Sequence, residues 1–234
     1  ELESLVDLEK FAITHKGHIA QIKPFPISVA FTGNDTSALP KSLLPEELGL
    51  KVEYLGLGVD RLDYTKGILE KLRGVEFFFD MYPDFKKQFT LLQIAAPSRE
   101  GVAKYQEFNE DVTAEAERIN KKFSIGDWQP IVLLKKHFSH EKIYPLYRAA
   151  NVCLITSLSD GMNLVAKEFV AARQDEAGVL ILSQFTGATR DLKSALVINP
   201  YSAEETAEAI YKALTMPESE QRRRMKKMRE AVKN

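Results

Sequence analysis

Two cations, Arg61 and Lys66, lie five residues apart in one short stretch of the chain, and Gly67 closes the turn after them. An arginine offers a bidentate fork and a lysine a point charge, so the pair can converge on an anionic diphosphate. An ordinary helix start has the same composition, with Asp63 as the N-cap and both cations exposed to solvent. The spacing by itself leaves the diphosphate site and the helix start equally open.

A second candidate loop, Asp160-Gly161-Met162-Asn163, leads into an apolar helical stretch. Gly161 lets the backbone approach a ligand closely, and the free amides of the following helix start can receive a phosphate. Asp160 can accept hydrogen bonds from sugar hydroxyls, and Glu168, in the second helical turn, can accept them from a ribose. A capped helix with a solvated Lys167 and Glu168 is the alternative.

The apolar residues predict the elements that position these loops. Six short, continuously apolar runs are typical of strands that are covered on both faces, as in a parallel sheet. They cover residues 52–59, 89–96, 131–134, 152–155, 179–182 and 195–198. Apolar side chains at helical spacing lie between them in three series, which are Ile68, Leu72, Val75 and Phe79; Tyr105, Phe108, Val112, Ala116, Ile119 and Phe123; and Ala203, Ala207, Ile210 and Leu214. The alternation predicts an α/β fold with a doubly wound, mostly parallel sheet.

The first fifty residues have a different pattern. Residues 18–31 look extended and contain Pro24 and Pro26, while residues 32–50 are rich in loop-forming residues such as Gly33 and Pro40. We therefore expect residues 1–50 to be an N-terminal segment and connector, and residues 51–234 to form the main domain.

Polar residues follow the predicted strands, in the stretches 60–67, 97–101, 135–138, 156–163 and 184–187. In open α/β sheets, ligands bind beyond the carboxyl ends of the strands. Cations, glycines and hydroxyl side chains are thus expected to gather at one edge of the sheet. Surface loops are polar in most proteins, so this gathering gives only modest support to a binding site.

The composition argues against several classes of function. The chain has 234 residues with 32 Lys+Arg and 33 Asp+Glu, whereas a large nucleic-acid footprint needs a basic excess. The single cysteine, Cys153, lies in an apolar run and leaves no disulfide framework or thiolate metal site. The sequence shows neither a signal peptide nor a membrane-spanning stretch, so we expect a cytoplasmic protein.

Metal and dinucleotide sites also find little support. The four histidines form no tight metal set, and His137 and His140 are expected to be a loop residue and a helix-start residue. Gly56-Leu57-Gly58 lacks the third glycine of a dinucleotide fingerprint.

The basic stretch 222–227 is interpreted as a solvated helix face, with a partner-binding patch as the alternative.

Longer strings make the chain recognisable. They are Val59-Asp60-Arg61-Leu62-Asp63-Tyr64-Thr65-Lys66-Gly67, Gln93-Ile94-Ala95-Ala96-Pro97-Ser98-Arg99, Arg118-Ile119-Asn120, Asp160-Gly161-Met162-Asn163-Leu164-Val165-Ala166-Lys167-Glu168, residues 179–187, and Ile198-Asn199-Pro200-Tyr201. In this order, over about residues 10–220, the chain resembles the trehalose-6-phosphate synthase family. The resemblance implies a retaining glycosyltransferase with a GT-B fold, in which residues 51–234 are the Rossmann-like, nucleotide-sugar-binding half.

The resemblance also implies a role for each matched residue. Arg61 and Lys66 match the pair that grips the diphosphate of UDP-glucose. The loop from Asp160 to Asn163, including Gly161 and Met162, matches the one that holds the donor glucose. It further implies that the amides of Leu164 and Val165 meet the diphosphate and that Glu168 binds the ribose. Ile94 and Phe138 lie where the family has its uracil pocket, and Arg99 matches an arginine that reaches the acceptor phosphate.

The implied reaction is glucosyl transfer from UDP-glucose to glucose-6-phosphate, giving trehalose 6-phosphate and UDP. It implies no cofactor, no metal and no protein nucleophile, with Asp160 as a positioning residue. The expected partners are the two substrates and the N-terminal GT-B domain, which holds most of the glucose-6-phosphate site and lies outside these residues. Nucleic acid and membrane are not expected partners, and a homo-oligomer is one open expectation. Without the N-terminal domain, the chain is expected to be inactive.

Three other functions remain alternatives. A glucosylglycerol-phosphate synthase of the same family would use glycerol-3-phosphate as its acceptor. A non-catalytic regulatory paralogue would bind a sugar phosphate or a partner, although the intact Arg61, Lys66, Asp160 and Glu168 argue against it. A nicotinamide-cofactor domain is disfavoured by the incomplete glycine fingerprint.

Overall fold

The structure is a computed structural model that describes residues 4–23, 29, 48–98 and 101–233.

A small antiparallel sheet comes first in the chain. Strands β1 (Ser4–Asp7), β2 (Ala12–His15) and β3 (His18–Gln21) pair in the order β1-β2-β3. The prediction of extended chain over 18–31 is confirmed for β3, and most of the predicted connector lies outside the described residues. Strands β1 and β2 could not be predicted, because most of their side chains are at least partly exposed and show no alternating burial.

A six-stranded parallel sheet forms the main body. Its strands are β4 (Tyr54–Arg61), β5 (Phe89–Ala96), β6 (Ile131–Leu134), β7 (Val152–Ile155), β8 (Val179–Ser183) and β9 (Leu196–Ile198). All six predicted strands are confirmed. The predicted bounds of the first were wrong by two residues, since the pairing of β4 with β5 continues until Arg61 lies opposite Ala96.

Six helices cover the two faces of this sheet. They are α1 (Ile68–Met81), α2 (Ala103–Phe123), α3 (His140–Ala149), α4 (Leu164–Ala172), α5 (Ala203–Leu214) and α6 (Glu218–Lys233). The three predicted helical series are confirmed, and almost all of their apolar residues are buried. The basic stretch 222–227 lies on α6, where Arg222 and Arg223 are exposed but Met225 is fully buried.

The sheet separates two hydrophobic cores. On one face α1, α2 and α5 pack on the sheet, for example through Phe79 against Phe89. On the other face α3, α4 and α6 pack on it, and Phe169 belongs to this second core. Because both faces of the central strands are covered, those strands are apolar without interruption.

The strand order is β6-β5-β4-β7-β8-β9, so the chain builds outward from β4 on one side and returns to β7 on the other. This reversal makes β4 and β7 neighbours at the centre of the sheet. Ligands of doubly wound sheets bind in the crevice beyond the strand ends at such a switch point. The two candidate loops of the sequence follow these two strands.

Candidate functional site

The turn after β4 is held by Asp63. This side chain caps a short 3-10 helix, Tyr64–Lys66, by accepting hydrogen bonds from the Thr65 amide at 3.0 Å and the Thr65 hydroxyl at 2.8 Å. Burial raises the pKa of Asp63, but the bonds from Thr65 and the charges of Arg61 and Lys66 outweigh burial and lower it. Asp63 is therefore the N-cap that the helix-start interpretation predicts.

Lys66 does not fit the rest of that interpretation. Its Nζ lies 2.7 Å from Oδ2 of Asp160, and the two side chains are only 16% and 13% exposed. Burial raises the pKa of Asp160, but the hydrogen bond and charge of Lys66 lower it below its ordinary value. A partly desolvated ion pair thus joins the two candidate loops, while Arg61 at the end of β4 is exposed.

Asp160 also organises its own loop. Its Oδ1 accepts hydrogen bonds from the amides of Met162 at 3.3 Å and Asn163 at 3.1 Å, and its Oδ2 accepts one from Nδ2 of Asn163 at 3.1 Å. Asn163 has a left-handed backbone and caps α4 by accepting a hydrogen bond from the Ala166 amide at 3.0 Å. Both carboxylate oxygens therefore shape the loop, as befits a positioning residue.

Backbone and side-chain hydrogen bonds fasten this loop to the turn after β4. The amide of Leu158 donates to the Thr65 carbonyl at 2.7 Å, and the hydroxyl of Thr156 donates to the Gly67 carbonyl at 2.8 Å. Gly67 has φ +61°, and a Cβ there would lie 2.0 Å from the Thr156 carbonyl oxygen. The close approach of the two loops thus requires glycine at this position.

A third loop, after β8, supports Asp160 from the other side. The amide of Gly187 donates to the Asp160 carbonyl at 3.0 Å, and the Asp160 amide donates to the Phe185 carbonyl at 3.2 Å. A Cβ on Gly187 would lie 1.9 Å from the Gly161 carbonyl oxygen. At Gly161 itself an added Cβ meets no protein atom within 4 Å.

The switch point contains a cavity of about 480 Å³. Nine predicted site residues line it: Arg61, Lys66, Ile94, Phe138, Asp160, Met162, Asn163, Leu164 and Val165. Gly161 lines a neighbouring cavity of about 490 Å³ that shares Asp160 and Met162. Arg99 lies outside the described residues, so its predicted contact with an acceptor phosphate stays a prediction.

The cavity combines an apolar wall with a cationic one. Ile94 of β5 and Ile143 of α3 lie beside Phe138, while Arg61 and Lys66 supply positive charge. Apolar surface next to cations suits a base linked to phosphates.

The amino end of α4 also lies on this cavity, through Leu164 and Val165. The first amides of a helix have no carbonyl partner within it. Asn163 satisfies the amide of Ala166, so those of Leu164 and Val165 are suited to receive an anion.

Glu168 lies one helical turn beyond Leu164 on the same side of α4, outside the residues that line the cavity. Its Oε2 accepts a hydrogen bond from the Tyr147 hydroxyl at 2.9 Å. Lys167 pairs with Asp191 at 2.9 Å and is only 8% exposed, so the solvated-face alternative is wrong for Lys167.

A buried polar cluster, which was not predicted from the sequence, supports the end of β4. Nζ of Lys71 lies 2.6 Å from Oδ2 of Asp60 and 3.0 Å from Oε1 of Gln93, and Lys71 is completely buried. A Cβ on Gly58 would lie 2.6 Å from that Nζ, so the Lys71 side chain fits only beside a glycine. The glycine inside the predicted strand was therefore the feature of the sequence that could have indicated this cluster.

Asp60 and His137 both line the cavity and were also missed as site residues. His137 was expected to be a loop residue, which it is, and His140 begins α3 as predicted. Across the described parts of the chain, His, Cys, Asp and Glu side chains form no group of three or more that could hold a metal ion. No helix within the described ranges is long and apolar enough to cross a membrane.

Curated proteins of known description are similar to this chain over nearly its whole length. A trehalose-6-phosphate synthase from Sodalis glossinidius is 42% identical over 232 residues, which cover 97% of this chain and 49% of that protein. A bifunctional trehalose-6-phosphate synthase/phosphatase from Thermoproteus tenax is 40% identical, over 97% of this chain and 32% of its own length. The chain thus spans half or less of the length of these relatives.

Solved structures agree with this picture. An alpha,alpha-trehalose-phosphate synthase (UDP-forming) from Burkholderia vietnamiensis superposes with a TM-score of 0.90 at 34% identity, covering 95% of this chain and 52% of that one. An E. coli structure described as trehalose-6-phosphate bound with UDP-2-fluoro glucose gives 0.89 at 35% identity, covering 99% and 52%. The family model described as glycosyltransferase family 20 matches residues 2–234, and the chain therefore belongs to that family.

Proposed function

We propose that this chain carries the donor site of a retaining glucosyltransferase, which moves glucose from UDP-glucose to glucose-6-phosphate and yields trehalose 6-phosphate and UDP. The observation that carries the proposal is the convergence of Arg61, Lys66 and the Asp160 loop on one cavity at the switch point. The relatives named as UDP-forming trehalose-phosphate synthases support it.

In this proposal, the uracil lies against Ile94 and Phe138, and the diphosphate lies between the cations and the amino end of α4. Negative charge grows on the diphosphate as its bond to glucose breaks. Groups that are already oriented toward that charge stabilise the transition state without reorganising. Nζ of Lys66 has three protons, so it can donate to a phosphate oxygen while it stays paired with Asp160.

Asp160 acts in this scheme as a positioning residue. Its two carboxylate oxygens already accept hydrogen bonds from Lys66 and from the loop, which supports a role in shaping the glucose subsite. We assign no nucleophile, in keeping with front-face attack by the acceptor. The cations take the part that Mg²⁺ has in other transferases, so we propose a reaction without metal or cofactor.

The acceptor side of the reaction belongs to the rest of the protein. We propose that a second, N-terminal domain supplies most of the glucose-6-phosphate site, because the chain spans about half the length of most of its relatives. Arg99 is the residue of this chain that we assign to the acceptor phosphate. A cytoplasmic location is also part of the proposal, and the single buried cysteine is compatible with it.

Calorimetric titration of the chain with UDP and UDP-glucose, with and without a chelator, tests the donor site. We expect weak binding, with a dissociation constant on the order of 1 mM or below, and no effect of the chelator. Inorganic pyrophosphate is the matched control, and it should bind more weakly because it lacks the uridine that contacts the apolar wall. The absence of any heat or melting shift at millimolar UDP would overturn the assignment.

A further inference from the structure

A buried tyrosine lies directly behind the candidate ribose ligand. Tyr147 of α3 is 1% exposed, and its hydroxyl donates to Oε2 of Glu168 on α4 at 2.9 Å. Its ring packs edge-on against Phe169, with 6.3 Å between ring centroids. A buried tyrosine hydroxyl needs a hydrogen-bond partner, and Glu168 supplies it.

The two residues occupy equivalent places on their helices. Ile143 of α3 and Leu164 of α4 line the cavity. Tyr147 lies four residues after Ile143, and Glu168 lies four residues after Leu164, so each is one helical turn further along its helix. The hydrogen bond between Tyr147 and Glu168 therefore lies one helical turn beyond the part of the cavity lining that Ile143 and Leu164 form.

The chemistry of this pair makes Tyr147 a fixed donor. Burial, and next the charge of Glu168, raise the pKa of Tyr147 well above its ordinary value. The phenol therefore keeps its proton at neutral pH and keeps donating to the carboxylate. Because the bond engages Oε2, the second oxygen of Glu168 remains available to a ligand.

We propose that Tyr147 is a positioning residue for ribose recognition and acts by orienting the Glu168 carboxylate. The inference rests on the proposed function, which gives Glu168 the ribose of the donor. A free glutamate side chain loses rotamer freedom when it binds, whereas one already held by Tyr147 loses less. Tyr147 thus lowers the ordering cost of each hydrogen bond from a ribose hydroxyl.

Discrimination between UDP and its 2′-deoxy and 3′-deoxy analogues tests this role in the 234-residue chain. We expect the native chain to bind UDP about tenfold more tightly than at least one analogue, as for a hydrogen bond to a charged group. Tyr147→Phe removes one oxygen and should reduce that ratio to about threefold or less. Affinity for inorganic pyrophosphate should stay unchanged, whereas a displaced α4 would weaken it.

Tyr144→Phe is the matched control, because Tyr144 also lies on α3 and its hydroxyl contacts α4, at 3.5 Å from the Ala171 carbonyl. It should keep the native ratio. Glu168→Asp, which draws the carboxylate back by one methylene, should reduce the ratio as Tyr147→Phe does. If Tyr147→Phe does not fold, this second variant keeps the proposal falsifiable, because a native ratio in Glu168→Asp would remove the carboxylate contact on which the role of Tyr147 depends. Thermal melts check all of the proteins.

The outcomes separate the ribose contact of Glu168 from the positioning role of Tyr147. A native chain that binds UDP and both analogues equally would overturn the ribose role of Glu168 and Tyr147 together. A native chain that discriminates, while Tyr147→Phe discriminates equally well, would overturn the role of Tyr147 alone. Equal discrimination by Glu168→Asp would overturn the ribose contact of Glu168 and, with it, the role of Tyr147. A parallel loss of pyrophosphate affinity in Tyr147→Phe would show that the residue only packs α3 against α4.

Discussion

At the scale of single residues, the two cations of the turn after β4 have different environments. Arg61 is exposed at the end of its strand, while Lys66 is largely buried and paired with Asp160. A partly desolvated charge interacts more strongly with a nearby phosphate than one in water. The two residues therefore contribute differently to stability, although the proposed function assigns both to the diphosphate.

Alanine at either position should slow glucosyl transfer when the chain is assayed within the full-length protein. Loss of one preorganised contact to developing charge typically costs about 10²–10³ in rate. Lys66→Ala also leaves Asp160 without its cation, so we expect this variant to lose about 1–3 kcal/mol of unfolding free energy. Arg61→Ala, at an exposed position, should lose less.

Steady-state kinetics and thermal melts on both variants measure these effects. Arg222→Ala, at an exposed cation of α6, is the control and should change stability by no more than about 0.5 kcal/mol. Native turnover of Arg61→Ala and Lys66→Ala at saturating UDP-glucose would contradict the diphosphate assignment.

At the scale of elements, the site consists of three loops that share backbone hydrogen bonds. The loop after β7 lies between the turn that ends at Gly67 and the loop that contains Gly187. Such contacts leave no space for side chains, so glycines mark the junctions. Gly161 differs, because its Cβ position is open.

Two alanine substitutions therefore separate a structural glycine from a ligand-binding one. Gly187→Ala should destabilise the protein by more than about 1 kcal/mol, because its Cβ collides with the Gly161 carbonyl. Gly161→Ala should leave stability within about 0.5 kcal/mol and still weaken UDP-glucose binding, because the new methyl group enters the loop that the proposed function places against the donor glucose. Urea unfolding and calorimetry give the two quantities, and undiminished UDP-glucose affinity of Gly161→Ala would refute the donor contact.

At the scale of the whole molecule, the parallel sheet brings the residues that we propose for the donor site to one edge. Nine of the predicted site residues line one cavity, and each of them belongs to this chain. The assignment to the acceptor phosphate depends here on Arg99 alone.

The 234-residue chain by itself should bind UDP but form negligible trehalose 6-phosphate. Most of the acceptor site is expected in the N-terminal domain, and closure of two domains completes such sites and excludes water. Product formation from UDP-glucose and glucose-6-phosphate, followed by chromatography over many hours, checks this prediction. The same assay on the full-length protein is the positive control, and comparable turnover by the chain alone would contradict it.

The sequence by itself determined the strands of the parallel sheet and the edge at which the site lies. Apolar runs and helical spacing report local burial, so all six strands of the parallel sheet could be predicted. Long ordered strings such as 59–67 and 160–168 indicated the family and nine residues that line the cavity. The exposed strands β1 and β2 lacked that pattern, because their side chains are not buried on either face in a regular way.

Only the tertiary structure decided which side chains meet. Lys66 and Asp160 are 94 residues apart, and their ion pair exists because the strand order makes β4 and β7 neighbours. Packing likewise brings Lys71 of α1 against Gln93 of β5, and Tyr147 of α3 against Glu168 of α4. Periodicity shows that a residue is buried, but the identity of its neighbour depends on how distant segments pack, which no local pattern contains.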